Sequence, residues 1–496
     1  MTVGMEIHAE LRTKTKMFCG SKNDPDEKHP NINVCPVCVG HPGTLPVINE
    51  EAVKLVHRVG LALGGNVQKF SRFDRKNYFY PDLPKGYQIS QYKHPLVLGG
   101  DLNGIRITRI HLEEDAGKLM HDSSGKFSLV DFNRAGVPLM ELVTEPDIKS
   151  AKDAKKFAEE LQLTLQYIGA SEANMEKGEM RCEANISVSK TNDMGTKVEV
   201  KNLNSFRAVE RAIEYEVKRQ IELLESGKKV AQEARGWDEN KEATFSKRSK
   251  ESAHDYRYFP EPDLPPMEFS DKYIETLCAT IPELQNQKRK RFTEEYGISA
   301  SLVETLIRER SLAAFWEKVI SELREWLAEE GITHPPTPSL KVREGEKGGG
   351  LESFELAMKL ASNYFTSDLL GLIKEKAIPP EELLITPENF AELIKMIHKK
   401  EITSRIAKDV LREMVEKGGD PSTIIESKGL KQIGDEKIVE EIAKKIISQN
   451  PKAIEDFKNG KQQSLQFLVG QIMKETKGTA NPEIIHALLT KIIGGV

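Results

Sequence analysis

No stretch of the 496-residue chain offers the roughly 18 consecutive apolar residues that a membrane-spanning helix requires. The opening residues Met1-Thr2-Val3-Gly4-Met5-Glu6 lack the basic region followed by an apolar region that marks a secretory signal. Both absences lead to the expectation of a cytoplasmic protein with no membrane partner. Cysteine is scarce and odd in number, five in all, which argues against a disulfide framework. The motif G-x-x-x-x-G-K-[ST] is absent, so any nucleotide is held by something other than the common phosphate loop. No serine nucleophile motif stands out, and no long internal repeat is present.

What is there is a soluble composition, 30% charged and 38% hydrophobic, in a chain long enough for about three domains. The net charge of −5 does not suggest nucleic-acid binding, but phosphate is bound by local basic patches rather than by bulk charge. Up to about residue 290 short alternating segments mix with Gly, Pro and Asn turns, which predicts an α+β fold with much antiparallel sheet. In residues 3–10, Val3, Met5, Ile7 and Ala9 alternate with Glu6, His8 and Glu10. Residues 182–188 alternate in the same way, with Cys182, Ala184, Ile186 and Val188 opposite Glu183, Asn185 and Ser187. Between them Ser150 caps a helix expected over 151–169, carrying Phe157, Leu161, Leu165 and Ile168 at helical spacing.

Beyond 290 the strand signal gives way to charged amphipathic helices. The spacing predicts an all-α helical domain over 291–390 and a small helical tail domain over 391–496. The Pro-, Gly- and charge-rich stretch 335–350 reads as a disordered insertion. In the tail Leu465, Leu468, Val469, Ile472 and Met473 form one apolar stripe, the core of a small bundle.

Five constellations could carry chemistry. Glu6, His8 and Glu10 share one strand face about 6.5–7 Å apart, as a solvated edge or as ligands to Mg²⁺ or Mn²⁺. His111-Leu112-Glu113-Glu114-Asp115 packs three mutually repelling carboxylates, either exposed or neutralised by a cation. Glu141 sits inside the apolar run 138–143, where it is paired, bound to metal, or on a wet edge. Phe73 to Tyr87 alternates cations with aromatics, suited to phosphate and base stacking or to a structural clamp; the basic loop 246–250 before Tyr256, Tyr258 and Phe259 has the same two readings. Cys19, Cys35 and Cys38 have zinc-like spacing but no obvious fourth ligand.

Together these segments resemble the B subunits of aspartyl/glutamyl-tRNA amidotransferases over nearly the whole chain. The resemblance is most specific at Gly4–Glu10, Phe73–Gln91, His111–Lys118, Val130–Asp147, Arg181–Asn185, Glu199–Phe206, Ser252–Leu264 and, near the end, Asn459–Lys461, Phe467–Gln471 and Lys477-Gly478. It implies a cradle domain (1–290), a helical domain and a tRNA-contacting tail. It also implies two protein partners in a heterotrimer, a glutaminase (the A subunit) and a small protein (the C subunit), with tRNA(Gln) and tRNA(Asn) as substrate carriers. The implied chemistry is ATP-dependent phosphorylation of the Glu or Asp side chain of a mischarged tRNA, followed by displacement of phosphate by channelled ammonia. By the same resemblance His8, Glu114 and Glu141 hold Mg²⁺, Glu6 lies beside it or on a second ion, and Lys76 lines the ammonia or phosphate path.

Two positions depart from the family pattern: Ser21 stands where zinc-binding members have a second cysteine, and Glu183 stands for a usual Asp. The competing reading is a tRNA-binding scaffold without its own catalytic centre. An archaeal relative carries a large synthetase-like insertion for which this chain has no room.

Overall fold

Alternation at the start of the chain becomes strand β1 (Thr2–Glu10), whose Val3, Met5, Ile7 and Ala9 are buried on one side while Glu6 and His8 face the other. The computed structural model describes every residue except 123, 192, 250–255, 331–348, 431–435, 459–460, 477–478, 481 and 495–496. It divides into two compact units, Met1–Gln285 and Asn286–Val496.

In the first unit the strands that matter are β2 (Asp74–Asn77), β3 (Tyr87–Ser90), β4 (Ile105–Glu114), β5 (Pro138–Thr144), β6 (Met180–Ser187), β7 (Val198–Leu203), β8 (Glu233–Asp238) and β9 (Ala243–Ser249). The large sheet runs β9-β8-β7-β6-β1-β5-β4 and continues into short strands. Its pairs are antiparallel as expected, except that β7 and β8 run parallel. A parallel pair needs a crossover, and the helix between these two strands supplies it. Strands β2 and β3 pair in a separate small sheet with Phe259–Pro260. The loop expected at 246–250 is instead strand β9 as far as Ser249.

Three helices, α1 (Glu50–Ala62), α2 (Ala151–Ile168) and α3 (Phe206–Glu225), cover the apolar face. Helix α2 starts where the sequence placed it: the Ser150 hydroxyl accepts the Asp153 N–H, and Gly169 ends the helix at φ 73°. Val53, Val56 and Val59 of α1, Phe157, Leu161 and Leu165 of α2, and Val209 and Ile213 of α3 pack against Ile7, Ile110, Leu142 and Ile186. With that face closed, the opposite face of the sheet is left for polar side chains.

Helix α1 also buries His57. Its Nδ1 lies 3.1 Å from the Tyr273 hydroxyl, and Phe269 meets the ring edge-on at 4.5 Å. Burial pushes its pKa down from 6.5 to about 4. Protonation therefore favours the unfolded chain: stability is complete above pH 6.5 and falls by on the order of 3 kcal/mol as the pH drops from 6.5 to about 4. His57→Phe should flatten that part of the melting-temperature profile. Parallel profiles for the two proteins would refute the assignment.

The second unit is helical among the described residues, and no helix is long and apolar enough to cross a membrane. The domain boundary expected at 390/391 falls inside the helix Pro387–His398. Phe390 there packs its ring 6.1 Å from both Phe315 and Phe365, so this helix belongs to the core that precedes it. A second core gathers Val439, Ala443, Ile446, Leu465, Leu468, Ile472 and Leu489. Among the described residues, the first helix that contributes to this core is Glu436–Gln449. The stripe at 465–473 packs into this core. The proposed insertion 335–350 lies outside the described residues apart from Gly349 and Gly350, which open the helix Gly349–Asn363.

Candidate active site

Strand register brings the polar residues together. Glu141 of β5 lies between His111 of β4 and His8 of β1, each directly opposite it. Residues opposite one another in antiparallel strands share a face and stand about 5 Å apart. Glu113 and Glu6 join this row from two residues away on β4 and β1. The His8 Nε2 is 3.4 Å from Glu141, 3.6 Å from Glu113 and 3.9 Å from Glu6. The His111 Nε2 is 3.2 Å from Glu141 and 4.0 Å from Glu113. Glu6 also faces Glu183 of β6 and Glu199 of β7, with Lys201 bonded to Glu183 at 2.7 Å.

These buried charges shift one another strongly. Burial and the charge of Glu141 push Glu6 up to about 7. His8 rises to about 9: burial opposes its charge, but the hydrogen bond and charge of Glu141, with Glu113 and Glu6, outweigh it. Burial also opposes ionisation of Glu141, yet His111 and His8 hold it well below the carboxylate range. The ligand atoms of Glu6, His8 and Glu141 lie within 4.8 Å of one another, as do those of His111, Glu113 and Glu141. Three carboxylates with two imidazoles are a donor set that fits a hard divalent cation such as Mg²⁺ or Mn²⁺.

Of the expected ligands, Glu6, His8 and Glu141 meet, and Glu114 does not join them. On β4 the side chains alternate, so Glu114 shares the phase of Ile110 and Leu112 and leaves by the opposite face. There it pairs with Lys85 and accepts the Ile89 N–H at 2.9 Å, beside a cavity of about 230 Å³ that also reaches Cys19 and Cys38. Glu113 and His111, part of the cluster noted at 111–115 but not of the expected ligand set, lie beside Glu141 instead. The signal was in the alternation itself, since Glu113 is in phase with His111. Glu10 also departs from the row: its carboxylate turns towards Arg181, 3.9 Å away, and Asp115.

Lys76 reaches the site from β2, facing Glu113, Tyr258 and Glu141, and these charges hold its ammonium above the usual range against the effect of burial. The neighbouring Arg75 is a structural clamp: it makes two bonds to Glu261, at 2.7 and 2.9 Å, and lies 4.3 Å over the Tyr87 ring.

The three cysteines also converge, their sulfurs all within 4.8 Å of one another. The Cys35 N–H donates to Cys38 Sγ at 3.1 Å, the Ser21 hydroxyl lies 4.0 Å from the same sulfur, and the buried Lys16 ammonium is 3.8 Å away. Cys38 is pushed down to about 5, first by a hydrogen bond from Cys19 and then by the Cys35 N–H and Lys16, against its burial. Three converging thiol groups fit a soft divalent ion.

Residues 1–275 match the family model described as GatB/GatE catalytic domain, and residues 353–493 match the GatB domain. The B subunit of the aspartyl/glutamyl-tRNA(Asn/Gln) amidotransferase from Thermotoga maritima is 45% identical, with 99% of this chain and 98% of the relative covered. The proteins of that name from Caldicellulosiruptor saccharolyticus, at 45%, and Thermodesulfovibrio yellowstonii, at 44%, match over the same shares. The chain belongs to the family of amidotransferase B subunits. The polar face of the sheet lies wholly within the part matched to the catalytic domain of that family. The match to the GatB domain includes the core around Leu468.

Proposed function

We propose that this protein activates the side-chain carboxylate of Glu on mischarged tRNA(Gln), or of Asp on mischarged tRNA(Asn), with ATP, and converts it to the amide. The observation that carries this reading is the row His111–Glu141–His8 with Glu113 and Glu6, close enough to Lys76 for Glu113 and Glu141 to act on its charge, in a chain of this family. A carboxylate resists attack by a nucleophile because it is already negative and has no leaving group. Its oxygen attacks the γ-phosphorus of ATP, ADP departs with the broken P–O bond pair, and the carboxylate becomes an acyl phosphate. Ammonia then adds to the carbonyl carbon, loses a proton, and phosphate leaves with the C–O bond pair.

His8, His111, Glu113 and Glu141 would hold a divalent ion, with Glu6 beside it, and such an ion would offset charge on the phosphates. The remaining work belongs to the chain: Lys76 faces the same space with its positive charge, and the sheet fixes every donor by register. Ammonia comes from the partner glutaminase, held in one heterotrimer with the small third protein, and the helical tail contacts tRNA. The complex works in the cytoplasm. Reconstituting it and assaying ATP-dependent conversion of each mischarged tRNA tests the reading: substrate-dependent ADP release with amide formation is expected, and its absence with both tRNAs would refute it.

The cysteine cluster adds a structural zinc site of three thiolates, with Ser21 or water as the fourth ligand and Lys16 balancing the charge. The purified protein should carry about one zinc per chain by mass spectrometry of the metal, and Cys38→Ser should lose it. Metal-free protein with three freely titrating thiols would rule the site out.

A further inference from the structure

Lys76 is set apart from the other charged side chains around the site. Glu114 has Lys85, Glu183 has Lys201, and Glu261 has Arg75. Among the described residues the Lys76 ammonium makes no hydrogen bond and has no carboxylate within ion-pair distance; it lies over two aromatic rings instead, 5.2 Å from the centre of Tyr256 and 5.9 Å from that of Tyr78. A π face stabilises a cation without offering lone pairs that would occupy its N–H donors. The ammonium therefore keeps its charge and its donors while facing Glu113 and Glu141 at longer range.

The rings are held firmly. Tyr256 packs edge-on to Tyr78 and Tyr258, at 6.0 and 6.1 Å, and Tyr258 stacks on Tyr92 at 4.5 Å with the planes 10° apart. The Asn77 amide donates to the carbonyls of Tyr256 and Arg257 at 3.2 and 3.0 Å, tying this segment to the strand that carries Lys76. Arg257 between the tyrosines takes a left-handed φ of 46°, a conformation an arginine adopts only where its surroundings impose it.

We infer that Tyr256 is a positioning residue: its ring holds the Lys76 ammonium with its donors unspent, so that Lys76 grips the side-chain carboxylate of the aminoacyl group before phosphoryl transfer. This rests on the proposed activity and adds to it which end of which substrate Lys76 recognises. An anion drawn to that place is a carboxylate or a phosphate, and the two have different sources, the aminoacyl-tRNA and ATP.

The test uses the reconstituted complex with Tyr256→Leu and Tyr256→Phe. In steady state, Tyr256→Leu should raise KM for the aminoacyl-tRNA about 10-fold and leave KM for ATP within about twofold, and Tyr256→Phe, which keeps the ring, should restore the wild-type value. Without ATP, the wild type should bind Glu-tRNA(Gln) more tightly than uncharged tRNA(Gln), and Tyr256→Leu should lose most of that preference. A rise confined to KM for ATP would place phosphate on Lys76 and overturn the inference. So would a Phe variant as impaired as the Leu variant, because the hydroxyl rather than the ring would then matter. If the wild type forms no acyl phosphate, the proposed activity fails, and the ATP-free binding comparison still decides the role of Tyr256.

Discussion

Glu141→Gln should lower ATP-dependent amidation by on the order of 10³-fold or more, while glutamine hydrolysis by the partner glutaminase continues. No other carboxylate among the described residues is placed as Glu141 is. It lies between two imidazoles on the strand that separates theirs, 3.4 Å from His8 and 3.2 Å from His111, and belongs to two of the groups whose atoms converge. Glutamine keeps the shape and removes the charge, so the fold should survive while the site loses its central anion. His8 would then lose the partner that most raises its proton affinity, and a cation would lose its central carboxylate. The measurement is amide formation in the reconstituted complex with ammonium salt as nitrogen source, which bypasses the glutaminase. Amidation within tenfold of wild type would show that the row is structural and would favour a scaffold role for this protein.

The parts of this site that were legible in the sequence are those fixed by period-two alternation. In β1 the pattern from Val3 to Glu10 named both the buried face and the polar one, and in β6 Cys182, Ala184 and Ile186 did the same. Helix α2 was legible because its cap, its apolar spacing and its final glycine agree. Two things were not. Which strands lie side by side depends on long-range register, so nothing local says that His111 faces Glu141, or that β7 pairs in parallel with β8. Likewise the aromatic cage over Lys76 joins residues about 180 positions apart, held by Asn77, and no window along the chain contains both. Which core each helix of the second unit serves is hard to read for a related reason. Amphipathic helices look alike in sequence, and only the packing of Phe390 against Phe315 and Phe365 shows which core its helix serves.

Adjacent glutamates on β4 give the sharpest separation. Glu113→Gln should weaken binding of Mn²⁺, read by its paramagnetic resonance signal, by about 10- to 100-fold, and Glu114→Gln should change it less than about threefold. The two residues have the same charge and neighbouring positions, so composition, proximity in the chain and net electrostatics predict no difference between them. Strand geometry predicts a large one. Glu113 points with His111 towards His8, at 3.6 Å, whereas Glu114 points with Leu112 towards Lys85 and the Ile89 N–H. Losing the Glu114 charge has a different cost: Lys85 is left partly buried without its carboxylate, which should lower stability by roughly 1–3 kcal/mol and be visible in a thermal melt. The pair of measurements therefore crosses over, with metal affinity lost in one variant and stability in the other. Weakened metal binding in Glu114→Gln with Glu113→Gln unaffected would mean that β4 presents the other face to the ion, and the row built on Glu141 would have to be redrawn around Glu114.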